Sequence, residues 1–273
     1  SVVNPPLGSQ GYDQRGGEYD ASVRAAFPLA LAGTSSIVSS ISHGESDCQD
    51  GNNAAFRTYD GGCQRGPIRT QAVLTVLAGA PSEHVFRPPY AGTDHKPLHA
   101  LADVRWDLLP SLPAPASARP ADEVLRHVER PWIDHILNWT LQHGCATHNM
   151  YCYGREIGDI VSEVALHALL DTPAREALAF RVIQLGIDSA GIVANGGAWR
   201  ADGGHMNGRK WPIVFSGVML GDAGMASPGR VSGEDGQTYF GAEGEALWGV
   251  ACDSCFFANG CELGGGCNGG RQD

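Results

Sequence analysis

The chain has 273 residues, of which 42% are hydrophobic, and carries a formal net charge of −11 at pH 7. This length fits one large domain, or one domain with an appendage. The acidic balance, without any run of lysine or arginine, argues against nucleic acid or an anionic membrane surface as a partner. No segment approaches the roughly 20 apolar residues of a membrane span.

The first half of the chain predicts helices separated by long loops. Apolar stretches predict helices over residues 20–42, 68–80 and 121–143, the last with a kink or break at Pro131. Residues 81–120 form a proline-rich irregular connection. A connection of that length inside a compact domain is typical of a functional loop.

The second half carries the clearer helix signals. Residues 155–170 place apolar side chains at i, i+3 and i+4, and residues 174–194 are apolar almost all round, which predicts a buried helix. A further helix is predicted over 211–222 and a strand over 237–250. Apolar helices that alternate with long polar loops predict packed helical hairpins.

Two domains are expected from the change in composition along the chain. Residues 1–240 form a helical domain with long loops, and residues 241–273 form a Gly/Cys-rich appendage stapled by disulfides. The eight cysteines lie in close groups within Gly-rich loops, which predicts disulfides and an extracellular or periplasmic location. The expected bridges are Cys48–Cys63, Cys145–Cys152 and two among Cys252, Cys255, Cys261 and Cys267. The spacing of those last four cysteines would also suit a structural zinc ion.

The most distinctive segment is the Gly-rich loop 195–211. It combines flexible backbone with aromatic and titratable side chains, which is typical of a site for a sugar or another polyhydroxylated ligand. The alternative is a polar loop whose tryptophans fill the core. The candidate site residues in this loop are Trp199, Asp202, His205, Arg209, Lys210 and Trp211.

A second group of functional side chains stands at the start of the helix predicted over 155–170. Its members are Asn149, Tyr153, Arg155 and Glu156. In an antiparallel helix pair, the start of the first helix and the end of the second lie at the same end, so we expect Tyr153 within about 10 Å of His205. The alternative is that Asn149 or Thr147 caps the helix and the tyrosines pack.

Two strings in these segments resemble a known family. Tyr153-Gly-Arg-Glu-Ile-Gly and Gly203-Gly-His-x-x-Gly-Arg-Lys-Trp-Pro-Ile are similar to strings in large secreted proteins of uncharacterised function with helical cores. The similarity spans roughly residues 66–240. More loosely, the chain resembles the (α/α)-toroid carbohydrate-active enzymes, which include polysaccharide lyases. The resemblance implies a mainly α fold whose helical hairpins form a partial or complete (α/α) toroid.

The expected function is that of a lyase acting on a uronic-acid polysaccharide by proton abstraction and β-elimination. Such a reaction needs a base, here His205 or Tyr153, and a cation or amide to neutralise the uronate carboxylate. The neutralising candidates are Asn149, Arg155 and Arg209. The positive charge of the Gly-rich loop within an acidic chain favours an anionic ligand. The sequence predicts no cofactor and no metal at this site, because it lacks a catalytic zinc motif such as HExxH.

Two other functions fit the same residues. A glycoside hydrolase would use paired carboxylates, here Asp202 with Glu156 or Asp159. A non-catalytic extracellular protein would either bind glycans or take part in a structural assembly, and a structural protein could have the same side chains buried and paired.

Overall fold

The computed structural model describes residues 1–31, 33–44, 66–81, 84–136, 144–151, 154–199 and 208–228, together with the backbone of 230–232 and 238–240. The predicted appendage, residues 241–273, lies outside these ranges.

An antiparallel sheet is formed by the N-terminal part of the chain. It comprises β1 (Val2–Val3), β2 (Ser35–Ser42) and β3 (Ile68–Val76), in the order β1-β2-β3. In the register of the two long strands, Ser35 stands opposite Val76 and Val38 opposite Val73. Both strands consist largely of Ser, Thr and β-branched residues, which suit a pleated, half-buried surface better than a helix.

The predicted mainly α fold, with a partial or complete (α/α) toroid, is therefore wrong. The helices predicted over 20–42 and 68–80 are wrong because these segments supply β2 and β3, whose pairing satisfies their backbones. The helix predicted over 121–143 is reduced to α1 (Ala121–Leu125), after which the described residues form turns as far as Arg130 and irregular backbone over 131–136. In the described part of the chain, five α-helices accompany the three-stranded sheet and a two-stranded ladder.

The helices predicted in the second half are confirmed. They are α2 (Gly154–Ala168), α3 (Arg175–Ala194) and α4 (Lys210–Leu220), followed by the short α5 (Ala223–Ala226). The ladder joins β4 (Arg230–Ser232) to β5 (Thr238–Phe240), and β5 falls within the strand predicted over 237–250.

Helix α3 is the centre of the packing. Leu178 and Val182 belong to a large apolar core that also takes in the sheet and α2. On another side of the same helix, Ile183 and Ile187 pack in a second core with residues of the 84–120 connection and α4. A helix that contributes to two cores must be apolar almost all round, as the sequence predicts.

The contact between α3 and α4 depends on a glycine. Gly186 lies against the Ser216 side chain and the Pro212 carbonyl, so closely that a Cβ atom would overlap both. The Ser216 hydroxyl lies 2.6 Å from the Pro212 carbonyl oxygen and 3.2 Å from that of Ile183. The two helices therefore meet backbone to backbone, which fixes the position of the segment that enters α4.

Candidate functional site

The Gly-rich loop is described only at its two ends. Residues 195–199 leave α3 and residues 208–209 enter α4, whereas 200–207, with Asp202 and His205, lie outside the described residues. Tyr153 also lies outside them. The predicted distance between Tyr153 and His205 therefore stays a prediction.

The end of this loop packs against the first turns of α2. Gly208 has φ +97°, a backbone conformation that favours glycine. A Cβ atom at this position would lie 2.8 Å from Ile157 Cγ2 and 2.9 Å from the Gly158 nitrogen. The entry to α4 and the N-terminal turns of α2 thus lie at the same end of the helical hairpin.

Arg209, which was predicted to bind a uronate carboxylate, instead binds a carboxylate of the protein. Its side chain is 2% exposed, and its Nε donates to Asp134 Oδ2 at 2.8 Å while Nη2 donates to Oδ1 at 3.3 Å. Burial raises the pKa of Asp134, and the adjacent guanidinium opposes that rise. The arrangement is a buried ion pair, so this geometry does not support a ligand-binding role for Arg209.

Two further predicted residues are buried. Trp199 has no exposed surface and so offers no face on which a sugar ring could stack. Asn149 is equally buried, and its amide donates to the Arg130 carbonyl at 3.1 Å. Asn149 thereby holds the turn between α1 and Trp132, which is a structural role rather than the expected contact with substrate.

The remaining described candidates lie at the surface. Arg155 is 56% exposed and contacts the Glu156 carboxylate at 3.3 Å, on the first turn of α2. Trp211 is 36% exposed and stacks on Phe215, with ring centroids 4.8 Å apart. Lys210 is half-buried. Of the predicted aromatic platforms, Trp211 alone presents a face to solvent.

Cys145 is buried and disulfide-bonded. Its partner is outside the described residues, so the predicted pairing with Cys152 stays a prediction. The other predicted disulfide residues, Cys48, Cys63, Cys252, Cys255, Cys261 and Cys267, also lie outside the part of the chain that the structure describes.

The structure contains an open cleft that the sequence did not indicate. This arginine cleft, about 360 Å³ in volume, lies between β3, the turn at 128–132 and α3. Three arginines line it, one from each of three segments: Arg87, Arg130 and Arg181. Its carboxylates are Glu129 and Asp188, so positive charge predominates.

The three arginines are held differently. Arg87 makes a bidentate pair with the buried Asp188, with distances of 2.7 and 2.5 Å, and is satisfied within the protein. Burial raises the pKa of Asp188, and Arg87 opposes that rise. Arg181 donates to the Glu129 carbonyl at 3.0 Å, and Arg130 is 46% exposed with its Nε 4.0 Å from the Glu129 carboxylate. These last two guanidiniums retain donors for a ligand.

The wall of the arginine cleft also holds an amide with unused hydrogen-bonding capacity. Gln71, on β3, is 1% exposed, yet neither Nε2 nor Oε1 has a hydrogen-bond partner among the described residues. A buried amide without partners costs about 1–3 kcal/mol. Gln184 lines the same cleft and bonds through both of its amide atoms to the backbone of Arg87, at 2.9 and 3.0 Å.

Among the described residues, no group of three or more His, Cys, Asp or Glu side chains is placed to hold a metal ion. Helix α3 is the one described helix whose length and mean hydropathy, 1.5, would suit a membrane span, and 61% of that stretch is buried in the protein. Burial of this kind is typical of a core helix.

Comparisons with protein-family models, with curated proteins and with solved structures find no match to this chain. The resemblance noted from the two sequence strings therefore stays a prediction.

Proposed function

We propose that this protein binds an acidic glycan, with uronic-acid units seated in the arginine cleft. The observation that carries the proposal is the combination of two solvent-facing guanidiniums, from Arg130 and Arg181, with the buried unpartnered amide of Gln71. A guanidinium fork matches a carboxylate in a bidentate geometry, which accounts for the anionic part of the ligand.

The Gln71 amide accounts for the sugar part. Its Nε2 requires an acceptor and its Oε1 requires a donor, and each hydroxyl group of a sugar supplies both. A ligand with a carboxylate beside neighbouring hydroxyls would therefore satisfy the arginines and the amide together. The predicted extracellular or periplasmic location belongs to the same proposal, since it rests on the number of cysteines.

Lyase activity on the same polymers is the second candidate. The packing of Gly208 against Gly158 favours it, because the segments that lead to Tyr153 and His205 start from the same end of the helical hairpin. The buried ion pair of Arg209 removes one of the carboxylate-binding groups that the reaction was expected to use. Arg155 and Lys210 are described cations at that end.

Titration calorimetry with a trigalacturonate and its methyl ester tests the binding proposal. We expect the acid to bind and the ester, which lacks the charge, to bind at least tenfold more weakly, because charge-assisted hydrogen bonds contribute about 1.5–3 kcal/mol. The variant Arg130→Gln should lower affinity for the acid about tenfold. Arg119→Gln is the control, since Arg119 is also 46% exposed but is not among the residues lining the cleft.

The variant Arg155→Gln separates the two candidate sites. Arg130 and Arg155 each stand next to a glutamate in the chain and are similarly exposed, so their substitutions are closely matched. Loss of binding in Arg155→Gln with full binding in Arg130→Gln would contradict the arginine cleft as the site. Appearance of an unsaturated product, seen by ultraviolet absorbance and lost in Arg155→Gln, would favour the lyase.

A further inference from the structure

A second cleft lies on another side of α3. This apolar cleft, about 400 Å³ in volume, lies between residues 86–99, the C-terminal half of α3 and the start of α5. Its volume falls in the range of small-molecule sites. The surface is mainly apolar and includes Leu98, Ile187, Val193 and Ile213. Leu98 stands 68% exposed beside the opening.

A histidine and an aspartate form a fixed pair in the lining. His99 Nε2 lies 3.5 Å from Asp222 Oδ2, and the side chains are 15% and 31% exposed. The other carboxylate oxygen of Asp222 accepts from the Met225 backbone nitrogen at 3.0 Å and caps α5. The carboxylate is thus held by the backbone, with its second oxygen directed at the imidazole.

This arrangement leaves an acceptor available. Because Nε2 of His99 faces the Asp222 carboxylate, the second ring nitrogen, Nδ1, can accept a hydrogen bond from a ligand. Asp94, which is exposed, adds a second carboxylate to the lining. Lys96 is exposed, whereas the guanidinium of Arg87 is occupied by Asp188. Acceptors therefore outnumber available donors.

We propose that the apolar cleft binds a small amphipathic molecule, which places an apolar body against α3 and a hydrogen-bond-donating head, a hydroxyl or an ammonium group, at His99 and Asp222. The apolar lining removes the body of the ligand from water. A carboxylate head would face Asp94 and Asp222 and would be repelled.

Three indole probes with different heads test this proposal by titration calorimetry. We expect tryptamine, with an ammonium, and tryptophol, with a hydroxyl, to bind. Indole-3-acetate should bind at least tenfold more weakly than either. Asp222→Asn should lower tryptamine affinity about tenfold, because asparagine keeps the helix cap but removes the charge. Asp107→Asn, at an exposed position outside the lining, is the matched control and should leave affinity unchanged.

A second variant reports on the cleft independently of its polar lining. Ala194 is exposed and lines the cleft, so Ala194→Trp should fill part of the volume without disturbing the core and should weaken both tryptamine and tryptophol. The proposal is overturned if neither of these probes binds, if indole-3-acetate binds equally well, or if affinity survives both Asp222→Asn and Ala194→Trp. Trigalacturonate binding should be unaffected by either variant, so this test stands apart from that of the proposed function.

Discussion

The surroundings of Arg209 and the arginine cleft show how the same residue type serves structure in one place and is available to a ligand in another. Arg209 is 2% exposed and is neutralised by Asp134, which is also buried. Arg130 is 46% exposed, and its nearest carboxylate lies at 4.0 Å. Both positions carry a fixed positive charge, but only Arg130 can exchange water for a ligand without breaking an internal ion pair.

The polar groups beside these arginines differ in the same way. Near Arg209, Asp134 accepts from the guanidinium, and its backbone nitrogen donates to the Tyr90 hydroxyl at 2.6 Å. In the arginine cleft, the Gln71 amide has no partner among the described residues. The charged groups of the first region are thus paired with each other, whereas the second leaves hydrogen-bonding capacity for a ligand at Gln71. Four substitutions and two control variants test this difference.

The largest effect is expected from Arg209→Ala. The substitution leaves the Asp134 carboxylate buried without its cation, and breaking such a pair costs about 3–5 kcal/mol of unfolding free energy. Denaturant unfolding measures this loss. Arg155→Ala, at a 56% exposed position, should change stability by less than about 0.5 kcal/mol.

The affinity of the same variant for trigalacturonate tests whether Arg209 also contacts the ligand. The folded fraction of Arg209→Ala should bind trigalacturonate with unchanged affinity, because Arg209 does not line the arginine cleft. If Arg209→Ala were as stable as the parent protein but no longer bound trigalacturonate, Arg209 would be a ligand-binding residue rather than a structural one.

A pH-dependent loss of stability is expected from the same buried region. His135 follows Asp134 in the chain, has no exposed surface and packs edge-on against the rings of Tyr12 and Tyr90. Burial lowers its pKa from 6.5 to about 4, although a hydrogen bond with the Ser9 carbonyl opposes this. Between pH 6.5 and about 4 the unfolded chain therefore binds a proton that the folded protein does not.

The contribution of His135 to stability is fully present above pH 6.5 and is lost as the pH falls toward 4, by roughly 3 kcal/mol in total. Thermal or denaturant unfolding over this range should show a smaller loss in His135→Gln than in the parent protein. His84→Asn, at an exposed position, should retain the full loss. If stability depended on pH equally in all three proteins, His135 would not be buried in its neutral form.

The sequence was sufficient for the helices that depend on local periodicity. In α2 and α3 the apolar stripe itself marks the helix, and the nearly continuous apolar surface of α3 predicts burial on most sides. For β2 and β3, average apolar content was misleading. Their structure depends on pairing Ser35 with Val76 across 41 positions of the chain, and their high content of Ser, Thr and β-branched residues was the signal that could have shown it.

The candidate site was predictable to a smaller extent for the same physical reason. The partner of Arg209 lies 75 positions away in the chain, so the local charge of the Gly-rich loop could not show that this cation is neutralised. The arginine cleft is assembled from four separate segments, and no segment contains more than a few of its residues. Only tertiary packing brings Gln71 and Arg181 to one cavity.

The smallest effects, and the most direct test of the arginine cleft, come from its two glutamines. Gln71 and Gln184 line the same cavity, but the first has no hydrogen-bond partner among the described residues and the second makes two. Replacing Gln71 by Leu removes a buried polar group that is unsatisfied in the free protein, so Gln71→Leu should raise the unfolding free energy by about 1 kcal/mol. Gln184→Leu should lower it by about 1–2 kcal/mol, because the Arg87 backbone loses both partners.

Affinity for trigalacturonate should change in the opposite direction from stability at Gln71. Calorimetry should show weaker binding in Gln71→Leu although that protein is the more stable one, since the amide would hydrogen-bond the sugar hydroxyls only in the complex. Substitution of a ligand-binding residue that is unsatisfied in the free protein raises stability and lowers affinity. Substitution of a residue with a purely structural role does not change the two in opposite directions. If Gln71→Leu proved less stable than the parent and bound the ligand equally well, the amide would be part of the fold alone. The arginine cleft would then be no more a binding site than the surroundings of Arg209.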